Sequence, residues 1–150
     1  ASRQLIEAYE QYHAPIIGLS EVAAEDVSKF GVIGGEQENE RDWKITHMVE
    51  KPKPEDAPSR AVAVGKYIIT RDVFETLASM GADQSGEVRL ADAFGAMLGN
   101  GMPMYGRMLE GEWLDTGDKF GFLRATIHYG LKHPEVNVKL RQYLASLDIS

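Results

Sequence analysis

The run "HMVEKPKPEDAPSRAVAVGKY", His47 to Tyr67, limits the folds open to this chain more than any other stretch. Upstream of its prolines, "WKITHMVE" alternates, with Trp43, Ile45, His47 and Val49 on one face, and reads as a strand. Downstream, "AVAVGKYIIT" is rich enough in β-formers to be a buried strand. The connection holding Pro52, Pro54 and Pro58 is too short for the crossover that parallel neighbours require. A mixed sheet is therefore expected rather than a strictly parallel one.

The remaining pattern fits the same scheme. "PIIGLSEV" and "FGVIGGE" read as strands separated by "AAEDVSK", a polar turn or short helix, and the acidic "EQENERD" reads as an exposed hairpin loop. Leu5, Ile6, Tyr9 and Tyr12 recur at helical spacing ahead of Pro15. Thr70 stands where a cap belongs for the helix "RDVFETLASM", and "GADQSG" is expected to be a loop. "EVRLADAFGAMLGNG" places Leu90, Phe94, Met97 and Leu98 on one helical face. "PMYGRML" and "EWLD" flank Glu110-Gly111 as strand, turn and strand. "DKFGFLRATIHYGLKH" gives a helix with Phe120, Leu123, Ile127 and Leu131 inward, and "VNVKLRQYLASL" a last one. The class is α/β, a mixed β-sheet with flanking helices.

Charge and cysteine content remove several function classes. The formal charge of −7 gives no long-range support to binding a nucleic-acid backbone or an anionic membrane. Without cysteine there is no disulfide, thiolate metal site or thiol nucleophile, which suits a cytoplasmic protein. No apolar run approaches the roughly 20 residues of a membrane span. The polar, amphipathic start lacks the features of a signal peptide and opens abruptly inside a helix, as part of a longer chain would. The four histidines have no ligand spacing; His47, on the Trp43 face, reads as a hydrogen-bonded core residue.

Three places carry polar chemistry. Glu50-Lys51-Pro52 closes a strand, and Pro52 is expected to hold Lys51 extended. A carboxylate there can accept from sugar hydroxyls and an ammonium can match a phosphate oxygen; by spacing alone the pair is more simply a solvated one ahead of a loop. In "EWLDTGDKFGF", Asp118 stands where a helix cap belongs. Asp115 can either offer Mg²⁺ a hard oxygen or bond the nearby turn amides, and the turn is the simpler reading. Gly31 and Gly65 each sit inside a strand, where glycine marks either a bulge or a close approach to a ligand.

In their order, "FGVIGG", "ITHMVEKPKPEDAPSRAVAVGKYIIT", "GEVRLADAF" and "EGEWLDTGDKFGFLRATIHYGL" resemble the C-terminal half of the bacterial UTP–glucose-1-phosphate uridylyltransferases, or UDP-glucose pyrophosphorylases, from about Pro15 onward. Glucose-1-phosphate thymidylyltransferases share the Glu-Lys-Pro and Leu-Asp-Thr-Gly elements but usually lack Ala57-Pro58-Ser59 at this place. The resemblance implies the C-terminal half of a Rossmann-like nucleotidyltransferase fold over 1–150, with 118–150 as a helical segment. It also implies roles: Lys51 as the catalytic group on the glucose 1-phosphate phosphate, Glu50 on the glucose hydroxyls, and the Gly31 amide against the sugar. The backbone at Val64 and Gly65 forms another sugar wall, and Asp115 is one of two aspartates on Mg²⁺.

The departures are specific. The glycine-rich "GxGTR" loop that binds UTP in that family, its lysine segment and its first metal aspartate have no counterpart here. Phe30 stands for a usual tyrosine and Ala91 for a usual threonine. The expectation is a sugar-phosphate half, inactive by itself, binding glucose 1-phosphate or UDP-glucose, meeting UTP only through the other half, and forming homo-oligomers through uncovered edges and apolar faces. A thymidylyl enzyme and a non-catalytic binding or self-association module are the alternatives.

Overall fold

A computed structural model describes residues 1–82 and 86–148. It divides into two compact units, Ala1–Gly111 and Glu112–Ser150. The expected loop at 81–86 falls partly outside the described residues.

The first unit is a five-stranded barrel with three helices. Helix α1 (Ser2–Tyr12) precedes β1 (Ile16–Glu21), a 3₁₀ segment (Ala24–Lys29), the hairpin β2 (Gly31–Gln37) and β3 (Asp42–Glu50), a second 3₁₀ turn (Pro54–Asp56) and β4 (Ala61–Ile68). Helices α2 (Arg71–Ser79) and α3 (Leu90–Gly99) lead to β5 (Tyr105–Met108). The sheet is mixed and closes on itself in the order β1-β4-β2-β3-β5, with β1 and β5 parallel and the other pairs antiparallel. The parallel partners β1 and β5 are far apart in the chain, with β2, β3, β4, α2 and α3 between them, so no short connection has to join them. Closure leaves β1 with neighbours on both sides, and Ile16, Ile17 and Leu19 are all fully buried. Ile17 and Leu19 face a core with Ile33, Ile45, Val73, Phe94 and Met97. Ile16 points the opposite way, onto Leu5 and Ala8 of α1.

Four expectations need correction. His47 is exposed: β2 pairs Gly34 with His47 but Gly35 with Ile45, so Thr46 is an extra residue that reverses the alternation and gives the core place to Met48. Asp42 is not in an exposed loop; it starts β3 and is 2% exposed, because its carboxylate is paired with Arg107 of β5. Thr70 stands at the N-cap of α2 without a side-chain capping bond. The segment "EWLD" forms no strand, having no neighbouring strand in the two-helix second unit to supply a ladder.

The second unit holds α4 (Lys119–Lys132) and α5 (Asn137–Ser146). The inward face expected of α4 is also corrected. Phe120 is 72% and Leu123 57% exposed, while the buried positions are Gly121 and Ala125. Small residues four apart let neighbouring backbone approach, and they set the helix's rotation in place of its large apolar residues.

Candidate functional site

Strands β2 and β4 pair at one point only, Val32 with Val62. Beyond it a cleft of about 270 Å³ is lined by Gly31, Met48, Glu50, Ala63, Gly65, Tyr67, Ala91 and Phe94, with Lys29 and Phe30 at its side. Glu50 lies opposite Gly31 in the β2–β3 ladder. A Cβ on Gly31 would stand 3.0 Å from Glu50 Oε2, so the glycine leaves that carboxylate its place. Gly65 has φ 72°, where β4 slips register against β1 between Tyr67 and Ala63. The bulge exposes backbone to the cleft.

Lys51 differs from the extended geometry expected before Pro52: its φ is 48°. Its N–H donates to Phe30 O at 2.9 Å, making one last bond of the β2–β3 pair as the chain reverses, and that bond selects a left-handed residue. Lys51 Nζ comes within 4.0 Å of Glu50 Oε1, with both side chains nearly two-thirds exposed. Glu50 thus lines the cleft, whereas Lys51 is not among its lining residues and meets the site only through its approach to Glu50. Val64 does not line it; Val64 Cγ2 lies 3.3 Å from where a Cβ on Gly18 would be, on the β1 side.

Tyr67 and Phe94 are the larger lining residues that sequence patterning passed over, because each also reads as ordinary core at its spacing; their ring centroids are 5.6 Å apart. Burial pushes the Tyr67 hydroxyl up from its usual value, and the negative charge of Glu50 adds to this.

Asp115 lies in the second unit, half-buried in the loop before α4. Its Oδ1 accepts from Gly117 N at 3.0 Å, the turn arrangement. Asp118 caps α4, accepting from Gly121 N at 2.6 Å. Among the described residues no three His, Cys, Asp or Glu side chains group closely enough to hold a metal ion.

A barrel-edged cleft with a carboxylate in it, an ammonium beside it and bare strand backbone on two walls suits a polyhydroxylated anion. The chain belongs to the nucleotidyl transferase family, whose model matches residues 1–130. Within that class it is similar to UTP–glucose-1-phosphate uridylyltransferases. That of Streptococcus pneumoniae is 37% identical over 147 residues, covering 97% of this chain and 49% of the relative. YngB of Bacillus subtilis is 35% identical, covering 96% and 48%. A solved UDP-glucose pyrophosphorylase complexed with UDP-glucose superposes with a TM-score of 0.79 at 35% identity, over 87% of this chain and 49% of that one. The UTP-bound enzyme from Acinetobacter baumannii gives 0.82 at 28% identity, over 97% and 50%. The chain thus spans about half the length of the curated relatives it matches.

Proposed function

We propose that this chain forms the sugar-phosphate-binding half of a nucleotidyltransferase that makes UDP-glucose and pyrophosphate from UTP and glucose 1-phosphate. The observation that carries this is the meeting of Gly31, Glu50 and Gly65 in one cleft, with the Lys51 ammonium 4.0 Å from the Glu50 carboxylate. Glu50 accepts hydrogen bonds from glucose hydroxyls. The backbones of Gly31 and Gly65 lie against the ring, and the Lys51 ammonium neutralises the phosphate.

In the reaction, a phosphate oxygen of glucose 1-phosphate attacks the α-phosphorus of UTP and the bond to pyrophosphate breaks. Both reactants are anions, so the chain's contribution is positioning and cancellation of repulsion. Asp115 offers a half-buried hard oxygen, which fits one ligand position of Mg²⁺ but not a whole site. Mg²⁺, when held there with phosphate oxygens and water, supplies further positive charge. UTP is met by the part of the relatives beyond this chain; neither nucleic acid nor membrane enters the scheme. Among the described residues no helix is long and apolar enough to cross a membrane, and a cytoplasmic setting suits the reactants. Self-association would show as a mass above one chain in sedimentation.

Calorimetric titration of this chain with glucose 1-phosphate tests the reading: saturable binding that Glu50→Ala and Lys51→Ala abolish is expected, and no binding overturns it. In a protein joining this chain to a nucleotide-binding half, Lys51→Ala is expected to lower turnover about a hundredfold or more. Comparing UTP with dTTP there separates the uridylyl from the thymidylyl reading. The chain alone is expected to release no pyrophosphate from UTP and glucose 1-phosphate.

A further inference from the structure

Inside the second unit, Glu112 is gripped by two side chains of α4. His128 Nε2 lies 2.6 Å from Glu112 Oε2, and Lys132 Nζ pairs with the same oxygen. Three residues on, the backbone of Asp115 presses against the first turn of the same helix: a Cβ on Gly121 would stand 2.3 Å from Asp115 O. The segment from 112 to 115 is therefore fastened to α4 at both ends.

Only Trp113 and Leu114 separate the two contacts of this strap. A displacement at one contact therefore has few backbone bonds over which to relax before it reaches the other.

We infer that Glu112, through His128 and Lys132, is a positioning residue that fixes where the Asp115 carboxylate stands. Lys132 first, and then His128, hold the Glu112 carboxyl below its ordinary value, so the anionic form is the one gripped at neutral pH. Gly111, with φ 110°, immediately precedes Glu112. The consequence for metal binding rests on the reading of Asp115 as a Mg²⁺ ligand; the strap itself does not.

Amide hydrogen exchange on the 150-residue chain at about pH 8 tests the strap. The Gly117 amide, bonded to Asp115 Oδ1, reports the carboxylate's placement, and the Ala125 amide reports α4 itself. Glu112→Gln is expected to speed exchange at Gly117 by roughly two- to fivefold, the scale of an exposed ion pair, with Ala125 unchanged. Combining Glu112→Lys with Lys132→Glu is expected to restore the slow rate. Unchanged exchange at Gly117, equal acceleration at both amides, or no rescue by the charge swap overturns the inference. The metal reading is judged separately: if Asp115→Asn leaves the Mg²⁺ requirement of a joined, active protein unmoved, that reading fails while the strap stands.

Discussion

Gly31 and Gly65 both border the cleft, yet alanine should fail at them for different reasons. At Gly31 a Cβ meets only the end of the Glu50 side chain, at 3.0 Å, which can swing aside. Gly31→Ala is therefore expected to leave the urea midpoint nearly unchanged while weakening glucose 1-phosphate binding, because Glu50 is displaced. At Gly65 a Cβ meets nothing within 4 Å, but φ is 72°. Gly65→Ala should cost about 1–2 kcal/mol in denaturant unfolding through backbone strain alone. Equal stability losses at the two positions would refute this division. The sequence left both glycines open between bulge and ligand contact; only the φ and the neighbour of each missing Cβ separate them. Lys51 departs from the extended geometry because the rule for a residue before proline considers two neighbours, whereas its bond goes to Phe30 O, just ahead of β2 and about twenty residues earlier in the chain.

Two helices begin on residues of capping type, and only one is capped. Asp118 bonds Gly121 N, so Asp118→Ala should destabilise α4 by about 1 kcal/mol, read as lost helicity and an earlier melt. Thr70 makes no such bond, and its buried hydroxyl has no partner among the described residues. Thr70→Val keeps the shape and removes the unsatisfied oxygen, so it is expected to be neutral or to stabilise by about 1 kcal/mol; a loss of that size would mean that the hydroxyl has a partner after all. Element identity was largely readable here because period and punctuation are local: among the described residues, β1 to β5 and the five helices stand where the pattern put them. Facing was not. The β3 bulge at Thr46 inverted His47 and Met48, and the close approach at Gly121 turned α4 away from its apolar stripe. Both depend on contacts that a periodicity does not encode.

At the scale of the whole first unit, barrel closure runs through β5, whose pairing with β1 and β3 joins segments about ninety and sixty residues apart. No local pattern announces such pairing, and the ion pair that pins it was equally hidden, Asp42 being read as part of a solvated acidic loop. Arg107 Nη2 donates to Asp42 Oδ2 at 2.9 Å, Asn39 Nδ2 donates to the same oxygen at 2.9 Å, and Tyr12 OH at 3.2 Å ties in α1. Burial alone would raise the Asp42 carboxyl; the hydrogen bonds from Arg107 and Asn39 outweigh it and hold it below its ordinary 3.8. A carboxyl lowered by folding contributes stability in full above its unfolded value, and that contribution is lost as pH falls through the folded one. The first unit should therefore weaken below about pH 4. Asp42→Asn at neutral pH leaves Arg107, 7% exposed, buried without its counter-charge, at an expected cost of about 3–5 kcal/mol. The same variant should lose less on acidification than the parent, since its amide does not titrate. Urea midpoints for both proteins at neutral pH and near pH 3 give the comparison. Parallel acid losses in the two would mean that the barrel's acid sensitivity arises at other carboxylates and that this pair does not govern closure.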